Sequence, residues 1–207
     1  GHFGIVSDGI LYNAVDLKDI REKSAHPVEN YRESFSLQNK TIVAYAGRLV
    51  KEKGIGKLVA AVSKLQKSGL DIALLIAGDG ALYEHIRQAN LPQVYLLGRL
   101  DFEHVVSLLR SSDIFCLPTD YPEGFPTSVL EAAACGCYVV TTTTGGSKEL
   151  ILNREYGAVL STNGVENIME AIRYAAQNTQ YTHKAVQNTY ARLEKRFTWE
   201  NTASQLI

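Results

Sequence analysis

Thr41-Ile42-Val43-Ala44-Tyr45-Ala46-Gly47-Arg48-Leu49-Val50-Lys51-Glu52-Lys53-Gly54 decides the fold class. An almost wholly apolar run ends in a loop bracketed by two glycines, which carries one Arg and two Lys. Residues 56–67 then repeat apolar side chains at helical spacing. A strand that is apolar throughout, rather than at alternate positions, is buried on both faces, as in a parallel sheet covered by helices.

The same alternation continues along the chain. Strand-like runs recur at Ile72–Ala77, 94–97, Ile114–Leu117 and Tyr138–Thr142, with a weaker one near 157–160. Helical patterns fall between them at 82–88, 102–109 and 128–134, and another follows at 165–176. Strand, helix, strand at this pitch requires right-handed crossovers, so the expected fold is α/β and Rossmann-like, with a parallel sheet and helices on both faces. Two further helices are expected at 181–193 and 199–207. Upstream, 9–15 reads as a short strand and turn, and 16–39 as polar and loop-like with a short helix around 31–35. The expected organisation is an interdomain arm over 1–40, one domain over 41–193 and a C-terminal helix over 194–207, together one half of something larger.

A chain of 207 residues, 45% of them hydrophobic, suits one such domain with a real core. A net charge of -1 argues against a nucleic-acid partner. No apolar run approaches the roughly 20 residues needed to cross a bilayer, and no signal peptide is legible. Three cysteines without a disulfide framework fit a reducing compartment, hence a cytoplasmic location. Cys135-Gly136-Cys137 reads as small residues at a helix-to-strand turn, because no second ligand pair at zinc-like spacing accompanies it.

In open α/β sheets ligands bind beyond the carboxyl ends of the strands, beside helix N-termini. Three strand-end loops therefore matter most. The Gly47–Gly54 loop can present Arg48, Lys53 and helix amides to an anion such as phosphate, although basic residues at strand ends are more often simply solvated. Tyr121-Pro122-Glu123-Gly124-Phe125-Pro126-Thr127-Ser128-Val129-Leu130-Glu131 is a tight turn into a helix starting near Pro126. Its free amides suit a diphosphate or sugar oxygens. Glu123 and Glu131, at most roughly 12 Å apart if helical throughout, can hold different hydroxylated parts of one long ligand. They can equally be a helix cap and a surface residue. Thr144-Gly145-Gly146-Ser147-Lys148-Glu149 is a third turn, in which Glu149 faces the pocket or caps the helix. Gly78-Asp79-Gly80 reads as an ordinary turn. No Gly-x-Gly-x-x-Gly, Walker or Asp-x-Asp pattern occurs, so nothing points to NAD, an NTPase or a metal-held diphosphate.

These motifs, in this order, resemble the C-terminal domain of retaining family 4 (group 1) glycosyltransferases with the GT-B fold. The resemblance runs from Tyr12-Asn13-Ala14-Val15-Asp16 through Ala46-Gly47-Arg48-Leu49 with Lys53-Gly54, Ile76–Gly80, Leu97-Gly98-Arg99-Leu100 and Ser112-Asp113-Ile114 to Trp199. Its most specific element is Glu123-Gly124-Phe125…Glu131, followed by Gly145-Gly146…Glu149. The resemblance implies a nucleotide-sugar donor and no metal or other cofactor. By it, Arg48 and Lys53, with Gly47 in their loop, neutralise the diphosphate, and Glu131 binds the ribose. Glu123 and the Gly124–Ser128 turn, with Phe125, Pro126 and Thr127, hold the sugar. Arg99 and Leu100 line the base pocket. Pro126 stands where the family commonly has Gly, which removes one amide and suggests a UDP-linked hexose or N-acetylhexosamine. The implied product is a surface polysaccharide, lipopolysaccharide or glycolipid of bacterial type, made on a glycan or lipid-linked acceptor with retention. The implied partner is an N-terminal domain of the same protein, without which the chain is expected to be inactive. Arg173, Lys184, Arg192, Lys195 and Arg196 form a basic segment able to touch the inner face of the cell membrane; a solvated helical face is the plainer reading. Two rivals remain: a non-catalytic nucleotide-sugar-binding or interaction module of the same fold, and a glycosidase using the two carboxylates, which the cationic loop opposes. A sugar-nucleotide epimerase lacks identifiable catalytic acids.

Overall fold

The computed structural model describes residues 12–122 and 124–204. Helices α1 (Leu17–Ala25) and α2 (Tyr31–Ser34) precede β1 (Thr41–Ala46). A 3-10 turn, Lys51–Lys53, leads into α3 (Ile55–Lys67). There follow β2 (Ile72–Ala77), α4 (Tyr83–Ala89), β3 (Val94–Gly98), α5 (Phe102–Arg110) and β4 (Ile114–Leu117). The chain continues through α6 (Thr127–Ala134), β5 (Tyr138–Thr142), α7 (Ser147–Leu150), β6 (Ala158–Leu160), α8 (Val165–Gln177), α9 (Thr179–Arg196) and α10 (Trp199–Ser204). The six strands form one parallel sheet in the order β3-β2-β1-β4-β5-β6, flanked by helices on both faces.

The apolar runs become the strands for the reason their composition implies. β2, β4 and β5 are buried at every position, and β1 at all but Thr41. β3, at one edge, is half-buried throughout. The strand order reverses at β1, so the crossovers lead to opposite faces on either side of it. In such a sheet the carboxyl edge beside this reversal is where a ligand crevice is expected.

Three expectations need correction. First, 16–39 is not loop-like. Asp16 caps α1 by accepting from the Asp19 N–H at 2.9 Å, and Leu17 and Ile20 turn inward. Two apolar residues are too faint a stripe to read from periodicity; α1 rests on packing against α5 and α6. Second, 12–14 form no strand. Val15 makes an isolated parallel bridge with Thr198, and residues 9–11 lie outside the described part. Third, α9 runs through Arg196, so the boundary expected at 194 falls inside a helix. No helix among the described residues is long and apolar enough to cross a membrane.

Two glycines let the strand-end loops meet. At Gly54 (φ 73°) an added Cβ would lie 2.0 Å from the Pro118 carbonyl oxygen, and at Gly78 (φ 136°) one would lie 1.9 Å from that of Gly47. Gly54→Ala combines left-handed strain with this overlap and should cost about 2 kcal/mol or more in urea denaturation. Gly56→Ala, in the first turn of α3 with nothing within 4 Å of its Cβ position, should raise stability by about 0.5 kcal/mol in the same assay. Equal effects from the two would refute the close-approach account.

Candidate functional site

The carboxyl ends of β1, β2 and β3 enclose a cleft of about 530 Å³. Gly47, Arg48, Gly78, Asp79, Gly80, Arg99 and Leu100 line it. Three of these residues are glycines, and the Cβ positions of Gly78 and Gly80 face the Gly47 and Leu49 carbonyls, so the two let the loops that wall the cleft pack closely. Arg48 and Arg99 are exposed, and neither guanidinium has an ion-pair or hydrogen-bond partner among the described residues. The backbone beneath Arg48 is held firmly. The buried Tyr45 hydroxyl donates to the Arg48 carbonyl at 2.8 Å, and the Leu49 N–H donates to the Asp79 carbonyl at 2.8 Å. Gly78-Asp79-Gly80, read from sequence as an ordinary turn, is thus a wall of the cleft. Tyr45 carries no sequence signal for its role, because a tyrosine in an apolar strand reads as core.

The β1 loop is also stitched to the β4 loop. The Glu52 carbonyl accepts from the Asp120 N–H at 2.8 Å, the Tyr121 N–H at 3.2 Å and the Thr119 hydroxyl at 3.3 Å. The Lys53 ammonium lies 5.2 Å from the centroid of the Tyr121 ring. Behind this seam the buried Asn163 amide donates to the Pro118 carbonyl at 3.1 Å. Lys57 bridges Asn163 and Asp120. The Thr142 and Thr144 hydroxyls tie the β5 loop to the Thr119 carbonyl at 2.6 and 3.3 Å. Lys53 and the turn that opens α6 therefore stand on one edge of the sheet, although Gly124–Ser128 and Glu131 do not line the cleft itself.

Within that turn the residues divide. Phe125 is buried, and its ring packs edge-to-face on Phe197 (5.2 Å between centroids) and on Tyr12 (6.2 Å). Asn13 donates to the Phe125 carbonyl at 2.8 Å, and Gly146 to the Gly124 carbonyl at 2.7 Å. Phe125 is therefore an anchor, and only its amide remains for a ligand. Pro126 is the N-cap of α6, one position before the helix rather than inside its first turn. No described residue accepts from the N–H groups of Phe125, Thr127 or Ser128, so they stand free at the positive end of α6. Glu123 lies outside the described residues.

Glu131 sits one turn into α6, half-buried, and no described residue pairs with its carboxylate. Burial raises its pKa above the ordinary value. Glu149 does not cap α7 through its carboxylate; its carbonyl accepts from Arg192 at 2.9 Å. Cys135 and Cys137 flank the turn between α6 and β5. Both are buried free thiols, as is Cys116; burial pushes Cys135 up to about 12 and raises the pKa of the other two as well. Among the described residues no three His, Cys, Asp or Glu cluster where a metal ion could be held.

Residues 27–192 match the family of glycosyl transferases group 1. The chain belongs to that family. Over 165 residues it is 31% identical to glycogen synthase of Mycobacterium tuberculosis, a match covering 77% of this chain and 40% of that protein. It superposes on the Anabaena protein HepE, crystallised with UDP and glucose, with a TM-score of 0.82 at 21% identity, over 96% of this chain and 55% of the other. It matches the C-terminal domain of LpcC, a group 1 glycosyl transferase of Francisella tularensis, with a TM-score of 0.73 at 23% identity, over 89% of this chain and 99% of that domain. The chain spans about half the length of the curated relatives it matches. It has the fold of a group 1 glycosyltransferase C-terminal domain.

The unpaired Glu131 of this glycosyltransferase domain has a measurable signature. A carboxyl whose folded pKa lies above its unfolded one ionises at the expense of the fold. The penalty is absent below about pH 4 and grows as pH rises through the raised pKa. Glu131→Gln should therefore melt higher than the parent chain at pH 8 and at the same temperature near pH 4. A difference independent of pH would show that the charge is not the cause.

Proposed function

We propose that this chain binds the nucleotide-sugar donor of a retaining glycosyltransferase, with UDP as the nucleotide and a hexose or N-acetylhexosamine as the sugar. One observation carries this reading: the uncommitted Arg48 guanidinium shares one cleft at the strand ends with Gly47, Gly78, Gly80, Arg99 and Leu100. Such a surface suits a diphosphate, because cations and close main-chain approach act together.

Arg48 and Lys53, with the free amides at the start of α6, stabilise the charge that builds on the leaving diphosphate, so the reaction needs no metal. Gly47 gives the phosphates access to the main chain. Leu100 and the Arg99 backbone receive the base. Glu131, half-buried and unpaired, accepts from the ribose hydroxyls. The amides of Gly124, Phe125, Thr127 and Ser128 and the Glu123 carboxylate orient the sugar, and Pro126 contributes no N–H. The acceptor, a glycan or lipid-linked sugar, attacks from the face the nucleotide leaves. The half-length match to relatives supports an N-terminal domain as the other wall of the cleft.

Isothermal titration with UDP tests this. Each charge-assisted hydrogen bond is worth about 1.5–3 kcal/mol, so Arg48→Ala and Lys53→Ala should each weaken binding about ten- to a hundredfold. No heat with UDP, GDP or ADP at millimolar concentration would overturn the reading.

A further inference from the structure

A second cavity, of about 270 Å³, lies on the opposite flank of the sheet, between the edge strand β6 and α8. Tyr138, Arg154, Asn167, Glu170 and Tyr174 supply its polar lining, and Ala158 and Leu160 are among its apolar walls. It shares no lining residue with the cleft at β1–β3.

Tyr138 makes this cavity more than a dent beside a sheet edge. The residue is 2% exposed, yet no described residue hydrogen-bonds to its hydroxyl. The ring is buried, but the hydroxyl is not sealed among unpaired buried atoms; with Tyr138 in the cavity lining, it is open to bond a ligand there. Its electrostatic neighbours are Tyr174, Tyr181 and Arg154, and burial pushes its pKa up to about 12, so it remains a proton donor at every physiological pH.

The charges lining the cavity are Arg154 and Glu170, one of each sign. Neither has an ion-pair or hydrogen-bond partner among the described residues; Arg154 rests 5.8 Å from the centroid of the Tyr174 ring. A lining with balanced charge, uncommitted donors and an uncommitted acceptor suits a neutral ligand rich in hydroxyls rather than an anion. The volume is small for a nucleotide and fits one sugar ring.

We propose that the cavity bounded by Tyr138, Arg154, Glu170 and Tyr174 is a second saccharide site, which holds one unit of a neutral glycan apart from the donor cleft. The polyol class comes from the lining alone; its identity as a glycan rests on the proposed function.

Maltotriose and inorganic phosphate are the probes, titrated into the isotope-labelled chain and followed by amide chemical shifts. Maltotriose should shift residues 158–161 and 167–171, and phosphate should not. Tyr138→Phe removes only the hydroxyl and should weaken maltotriose about fivefold, the worth of one neutral hydrogen bond. Glu170→Gln, at an exposed position, should weaken it as well and serves if the first variant folds poorly. UDP titrated into the same samples should bind each variant as it binds the parent. Absence of these shifts, a preference for phosphate, or unchanged affinity in both variants would overturn the second site. Loss of UDP binding by the parent chain with maltotriose binding intact would instead strike the donor-site reading.

Discussion

The contact between Gly54 and the Pro118 carbonyl holds the two halves of the sheet's active edge together. β1 and β4 are neighbours whose crossovers run to opposite faces, so the loops beyond them would part without a specific seam. The seam is main chain against main chain: a Cβ at Gly54 has no room, and the Glu52 carbonyl next to it receives donors from Thr119, Asp120 and Tyr121. Gly78 does the same between the β1 and β2 loops. Backbone packed on backbone leaves little freedom, and side chains standing on it inherit that rigidity.

What the seam presents is a set of groups the fold itself does not use. Arg48 and Arg99 have no internal partners, and Glu131 is half-buried against its own electrostatic interest. A domain stable by about 5–15 kcal/mol gains nothing from an unpaired, half-buried carboxylate. Groups held this way mark places where local rules yield to another demand. Phe125 shows the converse. It belongs to the most specific motif in the chain, yet its ring joins Tyr12 and Phe197 in the interior and ties the first described residues, the α6 turn and the end of α9 into one cluster. The turn can hold its amides outward because its aromatic side chain is held inward.

The family match and the superpositions agree with this architecture at the level of the fold. The low identity to the solved structures leaves donor, acceptor and stereochemistry to the chemistry of the site.

The sequence by itself determined the parallel α/β fold, because runs such as Ile72–Ala77 and Ile114–Leu117 are apolar at every position and only burial on both faces accommodates that. It also placed the candidate cations Arg48 and Lys53 in the loop that follows β1, since chain order alone puts every such loop on the same edge. It did not reveal α1, whose inward face is two residues wide, nor that Gly78–Gly80 forms a wall, nor that the ring of Phe125 points away from any ligand. Those were decided by tertiary structure. Which side of a short turn faces solvent, and which hydroxyl lacks a partner, depends on segments more than a hundred residues apart, such as Asn13 with Phe125. Local periodicity carries no record of such pairings.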